Sequence, residues 1–555
     1  MRSTMPSGGL QVSSILQRAA SIFGDRTVVA RSREGSGYVS RTYSELADRA
    51  SRLAAGLARL GVKRGDRVAT FQWNNLEHVE AYMAVPSMGA VLHPLNIRLS
   101  PSEVAYTLSH AEDRVVIVDL SLADLLASAL SHSRGDVEVV IVVGPPEHAI
   151  PASLQMENVT VLAYNDLLVE RLPSWPVVDE NSAAAICFTS GTTGLPKAVV
   201  YSHRSIYLHT MGVISSQGLD IRTTDVVMPV VPMFHANAWG LIHACLMAGS
   251  RLVLTDRFLG PGDLAHAIEA HAVSVAAGVP TLWSDLLRYA DTERVDLTTV
   301  RFLIGGGSAV SPTLMRSFRQ KLGVELIQAS GMTETSPLVT VSWPREDLED
   351  DSPEYWRNRS FAGRLVPGVE ARTAPIGDVD NPELGEIELR GPWVTTSYHA
   401  VEAPEKFHDG WLVTGDVGFV TDDGYLCLLD RSKDLVKSGG EWISSVALEE
   451  VIREHPAVVE VAVVAVPDEV WGERPLACVV SDSLSGDDVD AVRAMLQDKL
   501  PRWQVPEHWA FVEAIPRTGT GKWNKKEIRR LYADRAIAVT TVAGPERTRR
   551  PSDSL

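Results

Sequence analysis

The chain predicts an α/β protein, with a large N-terminal body of layered α/β sheets followed by a small α+β C-terminal domain. Three observations predict it. Short apolar segments of strand length alternate with helical or turn-rich sequence through most of the chain. The 555 residues exceed what a single hydrophobic core organises. Beyond about residue 434 the pattern changes to a few strands flanked by amphipathic helices. A formal net charge of -18 argues against nucleic acid or an anionic membrane as a whole-surface partner, so any anionic substrate must be held by a local site. The four cysteines, Cys187, Cys245, Cys427 and Cys478, lack CxxC or Cys/His metal spacing and read as reduced core residues. Arg2 is followed by no apolar signal segment, and no run approaches the roughly 18 apolar residues of a membrane span. A cytoplasmic enzyme is the expectation.

Taking the chain in order, residues 1–12 are Ser/Gly-rich and loose, and Ile15 to Phe23 reads as an amphipathic helix. Ser44 caps a helix through Leu60, with Leu46, Leu53, Leu57 and Leu60 on one side. Strands follow at Val68 to Phe71, Val115 to Val118 and Val137 to Val143. Ala183 to Phe188 is a buried strand that leads into Thr189-Ser190-Gly191-Thr192-Thr193-Gly194-Leu195-Pro196-Lys197. Glycines that let backbone N–H groups approach, hydroxyl donors and one lysine suit a polyphosphate. Pro196 before the lysine excludes the common P-loop, which needs Gly-Lys-Ser/Thr at a helix start. On composition alone a Gly/Thr-rich string is more often a polar turn.

Val230 to Gly240 reads as an apolar strand leaving His235 beside bulky side chains, and a lone histidine is more often structural than catalytic. Strands at Arg251 to Thr255, Ser274 to Ala277 and Arg301 to Ile304 lead into Gly278-Val279-Pro280-Thr281 and Gly305-Gly306-Gly307-Ser308. Glycine beyond a strand end marks either a tight turn or a ligand meeting the backbone. Gln328 to Pro337 carries Ser330-Gly331-Met332-Thr333-Glu334-Thr335, which also suits a helix start. Asp416 closes Trp411-Leu412-Val413-Thr414-Gly415-Asp416, and Asp422-Asp423-Gly424-Tyr425 is a hairpin turn. Asp430 to Ile443 is charged, then Gly-rich, and reads as a linker before a helix near Ser445. Strands at Val458 to Val466 and Leu476 to Val480 and a helix at Val489 to Leu500 follow. Pro516-Arg517-Thr518-Gly519-Thr520-Gly521-Lys522 is a loop whose lysine, by composition, is solvated, and the tail after Ala543 is disordered.

In this order the motifs resemble the adenylate-forming superfamily, which includes acyl-CoA synthetases, adenylation domains of peptide synthetases and beetle luciferases. They look most like bacterial fatty-acyl-CoA synthetases. The resemblance implies ATP held by Thr189, Ser190, Gly191, Thr192, Thr193, Gly194 and Lys197. It implies Ser308, Ser330, Gly331 and Met332 near the nucleotide, and Asp416 and Arg431 on the ribose. Thr333 would bind phosphate and Glu334 would help hold Mg²⁺. His235 would close on the acyl substrate, in a pocket lined by Trp239, Gly278, Val279, Gly305, Gly306, Gly307 and Thr335. Lys433 would be the pivot of a hinge between an N-terminal domain of residues 1–432 and a C-terminal domain of residues 433–543, ahead of a tail at 544–555. Gly439 and Gly440 would border the pantetheine channel, and Lys522 would contact the reacting carboxylate and the α-phosphate. Two positions depart from the family pattern. Ala198 follows the grip lysine where relatives carry glycine, and Ser330 stands where relatives stack an aromatic on adenine, which widens the cavity there.

The reaction so implied is attack of a carboxylate oxygen on the α-phosphate of ATP, then transfer of the acyl group to the thiol of coenzyme A. Both first reactants are anions, so positioning and charge neutralisation matter more than a base. The partners expected are a small carboxylic acid and coenzyme A, with no nucleic acid, and a homodimer is compatible with this picture. A carrier-protein acceptor, or activation of a small oxyanion such as nitrite for transfer to an amine, stays open as an alternative. A non-catalytic nucleotide-binding module is opposed by the intact Lys197, Glu334, Asp416 and Lys522.

Overall fold

The computed structural model describes residues 3–6, 8–133, 135–145, 151–189, 195–376, 384–439, 441–481, 483–484, 488–517 and 523–542. Ser190 to Gly194, Gly440, Lys522 and the tail therefore lie outside the described residues. The chain divides into two compact units, a larger one of Met1–Ala371, Leu389–Leu412 and Thr421–Leu426, and a smaller one of Arg372–Glu388, Val413–Val420 and Cys427–Leu555.

The larger unit is built on two sheets. One has seven strands in the order Thr160–Ala163, Val139–Val143, Val115–Asp119, Arg67–Phe71, Val91–Pro94, Ala183–Phe188 and Ala198–Ser202. Every neighbouring pair is parallel except the last, which is antiparallel. Its central strands, VVIVD and VVIVV, are buried at every position, as parallel strands covered on both faces must be. The second sheet holds six consecutive parallel strands: Glu325–Gly331, Phe302–Gly306, Val275–Gly278, Val226–Pro229, Arg251–Leu254 and Thr27–Arg31. Trp283 and Phe318, from the helices Pro280–Ala290 and Pro312–Leu322, fill its core with no exposed surface. Open α/β sheets present ligands to the carboxyl ends of their strands, and the glycine-bearing segments 305–308 and 330–335 leave this sheet at that edge.

The smaller unit carries a sheet in the order Glu441–Ile443, Val436–Ser438, Gly472–Ser481, His508–Phe511 and Thr540–Thr541, with Val458–Asp468 antiparallel to Gly472–Ser481. Alternate residues of these long strands feed two cores. Val461, Val463, Ala477 and Val479 pack with the helices Ser445–Arg453 and Val489–Lys499, while Ala462, Val464, Leu476 and Cys478 pack with Ile528 of the helix Lys525–Ala533. A sheet covered on both faces explains why Val458 to Val466 is almost uniformly apolar.

Three expectations are corrected. The helix expected from Ser44 is Tyr43–Arg59, and Thr42 caps it: its hydroxyl accepts from Glu45 N while the Glu45 carboxylate accepts from Thr42 N at 2.7 Å. The Thr-x-x-Glu capping box outcompetes the serine two residues later. The helix expected from Ile15 begins at Val12. The strand expected over Val230 to Gly240 is absent: the strand there is Val226–Pro229, and the residues beyond it leave the sheet and turn at Ala236–Gly240. All four cysteines are buried and free, as read, and burial pushes the Cys187 thiol up to about 12. No helix among the described residues is long and apolar enough to cross a membrane.

Candidate active site

The loop expected to grip polyphosphate connects two antiparallel strands, Ala183–Phe188 and Ala198–Ser202. Thr189 N donates to Lys197 O at 2.9 Å, and Lys197 N donates to the Thr189 hydroxyl at 3.1 Å. The base of the loop is thus fixed by its first and last residues. Lys197 projects its ammonium over the ring of Tyr398, 4.8 Å from the centroid.

Thr333, Glu334 and Thr335 form a single 3-10 turn beyond the strand Glu325–Gly331, and all three are buried. Gly331 is required there. A Cβ at that position would sit 2.0 Å from the Pro337 carbonyl oxygen. Thr335 closes the turn from within: its hydroxyl accepts from Met332 N at 3.1 Å and donates to backbone carbonyls, so it is used in shaping the loop. Thr333 is held by its carbonyl, which accepts the Tyr201 hydroxyl at 2.6 Å. Glu334 accepts the Tyr398 hydroxyl at 2.7 Å through Oε1, and its carbonyl accepts Thr395 N at 2.8 Å. The grip lysine and the turn carboxylate therefore meet on opposite parts of one tyrosine.

Glu334 is a single carboxylate, and no group of three or more His, Cys, Asp or Glu among the described residues could hold a metal. A lone carboxylate suits a hard cation that takes most of its oxygens from phosphate and water, as Mg²⁺ does, rather than an all-protein cage.

The segment after Val226–Pro229 has an unusual backbone. Ala236, Asn237, Ala238 and Trp239 all have positive φ, from 43° to 56°, and Gly240 follows at 76°. A left-handed turn of non-glycine residues costs about 1–2 kcal/mol per residue, so tertiary contacts must hold it. Asn74 supplies three: its amide donates to Pro229 O and Val231 O, and its Oδ1 accepts Met233 N at 2.8 Å. Tyr82 donates to Met233 O and lies 3.4 Å from Asn237 Oδ1. Gly240 packs on His209, where a Cβ would lie 2.6 Å from the ring. Burial lowers the His209 pKa to about 3, which leaves its Nε2 able to accept Leu338 N at 3.1 Å.

This turn leaves His235 half-buried at its start and drives Trp239 inward. The Trp239 indole lies where a Cβ on Gly306 would be only 2.9 Å from it, so glycine at 306 makes room for the ring. Gly305 is equally constrained, by Val310 at 2.6 Å, and Gly307 takes a φ of 81°. Gly278 packs against Trp283 and Val279 caps the helix Pro280–Ala290. Ser308 is exposed, Ser330 is half-buried on its strand and Gly331 is exposed. The larger unit thus brings together Thr189, Lys197, Thr333 and Glu334, and separately seats Trp239 against the Gly305 to Gly307 loop.

In the smaller unit Asp416 Oδ1 lies 2.7 Å from Arg431 Nε, and Ser432 N donates to Gly415 O at 2.9 Å. The two residues expected on the ribose are therefore neighbours. Lys433 is exposed, and its carbonyl accepts from Arg529 at 3.2 Å. Gly439 has a φ of 60° and donates its N–H to Trp471 O.

Sequence reading missed Tyr398, Tyr201, Asn74 and Tyr82. Each acts through a tertiary hydrogen bond, and nothing in the spacing of its neighbours marks it. A cleft of about 840 Å³ lined by Arg31, Arg33, Arg41, Arg49, Glu77 and Asp256 is a separate feature, and Arg33, Arg41 and Arg49 there are already paired with Glu77, Glu80 or Asp119.

Residues 16–399 match the family model of AMP-binding enzymes, and residues 447–522 match that of the AMP-binding enzyme C-terminal domain. The chain belongs to the AMP-binding enzyme family. It is 41% identical over 540 residues to a long-chain-fatty-acid–CoA ligase of Thermus thermophilus, covering 96% of this chain and 97% of that one. It is 38% identical over 536 residues to a 3-methylmercaptopropionyl-CoA ligase of Ruegeria lacuscaerulensis, covering 95% and 98%. Among solved structures its fold is similar to an anthranilate CoA ligase in complex with anthranoyl-AMP, with a TM-score of 0.84 at 24% identity over 97% of this chain and 100% of that one. It is also similar to the o-succinylbenzoate coenzyme A synthetase of Bacillus subtilis in complex with ATP and magnesium, with a TM-score of 0.75 at 26% identity over 92% and 98%. The chain is an AMP-forming acid–thiol ligase, which activates a carboxylate with ATP as an acyl-adenylate.

Proposed function

We propose that the acid is a medium- to long-chain fatty acid, and that the acyl chain enters past His235 and Trp239. The observation that carries the site assignment is the convergence of Lys197 and Glu334 on Tyr398 at the base of the grip. One cation and one carboxylate at the same place suit a polyphosphate with its Mg²⁺ and little else. The apolar character of the segment from Val230 to Trp239, together with the Trp239 ring fitted against Gly306, supports an apolar acyl group. Relatives of similar overall identity act on a long fatty acid in one case and on a short thioether acid in the other, so the assignment rests on the apolar segment rather than on identity.

In this reading Thr189, Thr333 and Lys197 hold the phosphates, Glu334 holds Mg²⁺, and Asp416 with Arg431 holds the ribose. Mg²⁺ supplies neutralisation of phosphate charge. A carboxylate oxygen attacks the α-phosphorus, the bond to the β-phosphate oxygen breaks, and pyrophosphate leaves. The grip's donors lower the repulsion between two anions, which is where the barrier lies. The thiol sulfur of coenzyme A then attacks the acyl carbonyl and AMP leaves. The residues 1–432 and 433–543 are the domains of this scheme, Lys433 is the pivot between them, and Lys522 serves the first step from the second domain. Gly439 and Gly440 border the thiol's approach.

The test is pyrophosphate release across straight-chain acids from four to sixteen carbons and a set of aryl acids, with coenzyme A, with an amine in its place, and with neither. The reading expects kcat/KM to rise with chain length by about 1–3 kcal/mol of binding per few methylenes before levelling, with release sustained only when coenzyme A is present. A maximum at aryl or four-carbon acids would overturn the substrate assignment. Sustained release with an amine in place of the thiol would replace the acceptor.

A further inference from the structure

We propose that Tyr398 is a positioning residue for adenylation. Its hydroxyl aims Glu334 and its ring parks Lys197, so one side chain sets the distance between the two groups that meet MgATP. The inference rests on the functional reading above.

The geometry places Tyr398 against both groups. It is 8% exposed, with its hydroxyl 2.7 Å from Glu334 Oε1 and the Lys197 ammonium 4.8 Å from its ring centroid. The backbone on either side is tied to the same two features. His399 N donates to Ala198 O at 2.9 Å, one residue after Lys197, and Thr395 N donates to Glu334 O at 2.8 Å. Phe407 braces the ring edge-on at 5.1 Å. The segment 395–399 is therefore a strap stretched from the grip to the carboxylate turn, with Tyr398 at its middle.

The chemistry explains why the residue that touches both is a tyrosine. Lys197 is joined to no carboxylate among the described residues, although Glu334 accepts the hydroxyl of the same tyrosine. Were the two in direct contact they would neutralise one another, and each would have to be stripped from its partner before meeting a phosphate or a cation. A cation over an aromatic face is held more loosely than in a buried ion pair, so the ammonium transfers readily to phosphate oxygens. The hydroxyl meanwhile occupies one carboxylate oxygen and leaves the other for a hard cation.

The test is calorimetric titration of α,β-methylene-ATP into the full chain, once with EDTA and once with Mg²⁺. Tyr398→Phe keeps the ring and removes the hydroxyl. It is expected to bind the Mg²⁺-free nucleotide within about twofold of wild type and to lose about tenfold of the tightening that Mg²⁺ gives. Tyr398→Leu is expected to lose about threefold in the Mg²⁺-free titration as well. Glu334→Gln is expected to lose the same Mg²⁺ tightening, and Glu334→Gln with Tyr398→Phe to lose no more than either alone. Equal losses by Tyr398→Phe with and without Mg²⁺, or full additivity with Glu334→Gln, would assign the residue a merely structural role. Should Tyr398→Phe lack a cooperative unfolding transition, Glu334→Asp, which withdraws the carboxylate from an intact tyrosine, must lose the Mg²⁺ tightening, and its retention overturns the proposal. Wild-type protein that binds no nucleotide at all would overturn the functional reading, and this inference with it.

Discussion

Gly331 shows how a single residue controls the site. Its missing side chain lets the strand Glu325–Gly331 run against Pro337, and that contact sets the turn from which Thr333 and Glu334 project. Gly331→Ala is expected to push the turn away, raising the KM for MgATP about tenfold and lowering stability by about 1–3 kcal/mol. Steady-state kinetics at varied MgATP beside a denaturant titration would check both, and an unchanged KM would show that the turn is not where nucleotide binds. Lys522→Ala is expected to lower pyrophosphate release about 100- to 1000-fold while sparing thioester formation from a supplied acyl-adenylate. Equal loss of both would contradict the role proposed for it. At this scale the sequence marks a glycine on which a turn depends, as at Gly331. It is silent where a residue works through one long-range hydrogen bond: Tyr398 lies 64 positions from Glu334 and carries no local signature.

Among the elements, the connection out of the strand Val226–Pro229 carries the most information about function. Its apolar residues read as a continued strand, but Asn74 and Tyr82 seize the backbone carbonyls and fold the chain into a left-handed turn. Period and propensity cannot reveal such a turn, because the hydrogen bonds that stabilise it come from residues about 150 positions earlier. The strands Val115–Asp119 and Val139–Val143 were legible because both faces are covered, and the Thr42 capping box was there to be read in Thr-Tyr-Ser-Glu. Next to the turn, Asp256 pairs its backbone with Asn74, and burial, reinforced by Asp119, pushes its carboxyl up to about 6. A carboxyl raised above its unfolded value of about 4 contributes stability that is complete below that value and lost as the pH rises through about 6. Asp256→Asn is expected to escape this loss. Its unfolding free energy should gain on wild type between pH 4 and pH 7 by an amount on the order of 2 kcal/mol, measured by denaturant titration at each pH. A difference independent of pH would mean that the carboxyl titrates normally.

At the scale of the whole molecule there are two compact units. One carries Lys197, the turn with Glu334, and Trp239, and the other carries the Asp416–Arg431 pair and the glycine at 439. The layered α/β body and the smaller α+β unit were both legible, because strand-length apolar runs alternate with amphipathic helices in the first and crowd together in the second. The substrate was less legible, since no residue with chemistry of its own marks which carboxylic acid is bound. The central claim concerns a bond: a carboxylate oxygen joins the α-phosphorus and stays there when the acyl group leaves. Turnover of a fatty acid labelled with oxygen-18 in both carboxylate oxygens, followed by mass spectrometry of the products, tests it most directly. The account predicts one labelled oxygen in AMP, none in pyrophosphate and one in the thioester carbonyl. Unlabelled AMP, or label in pyrophosphate or orthophosphate, would contradict it.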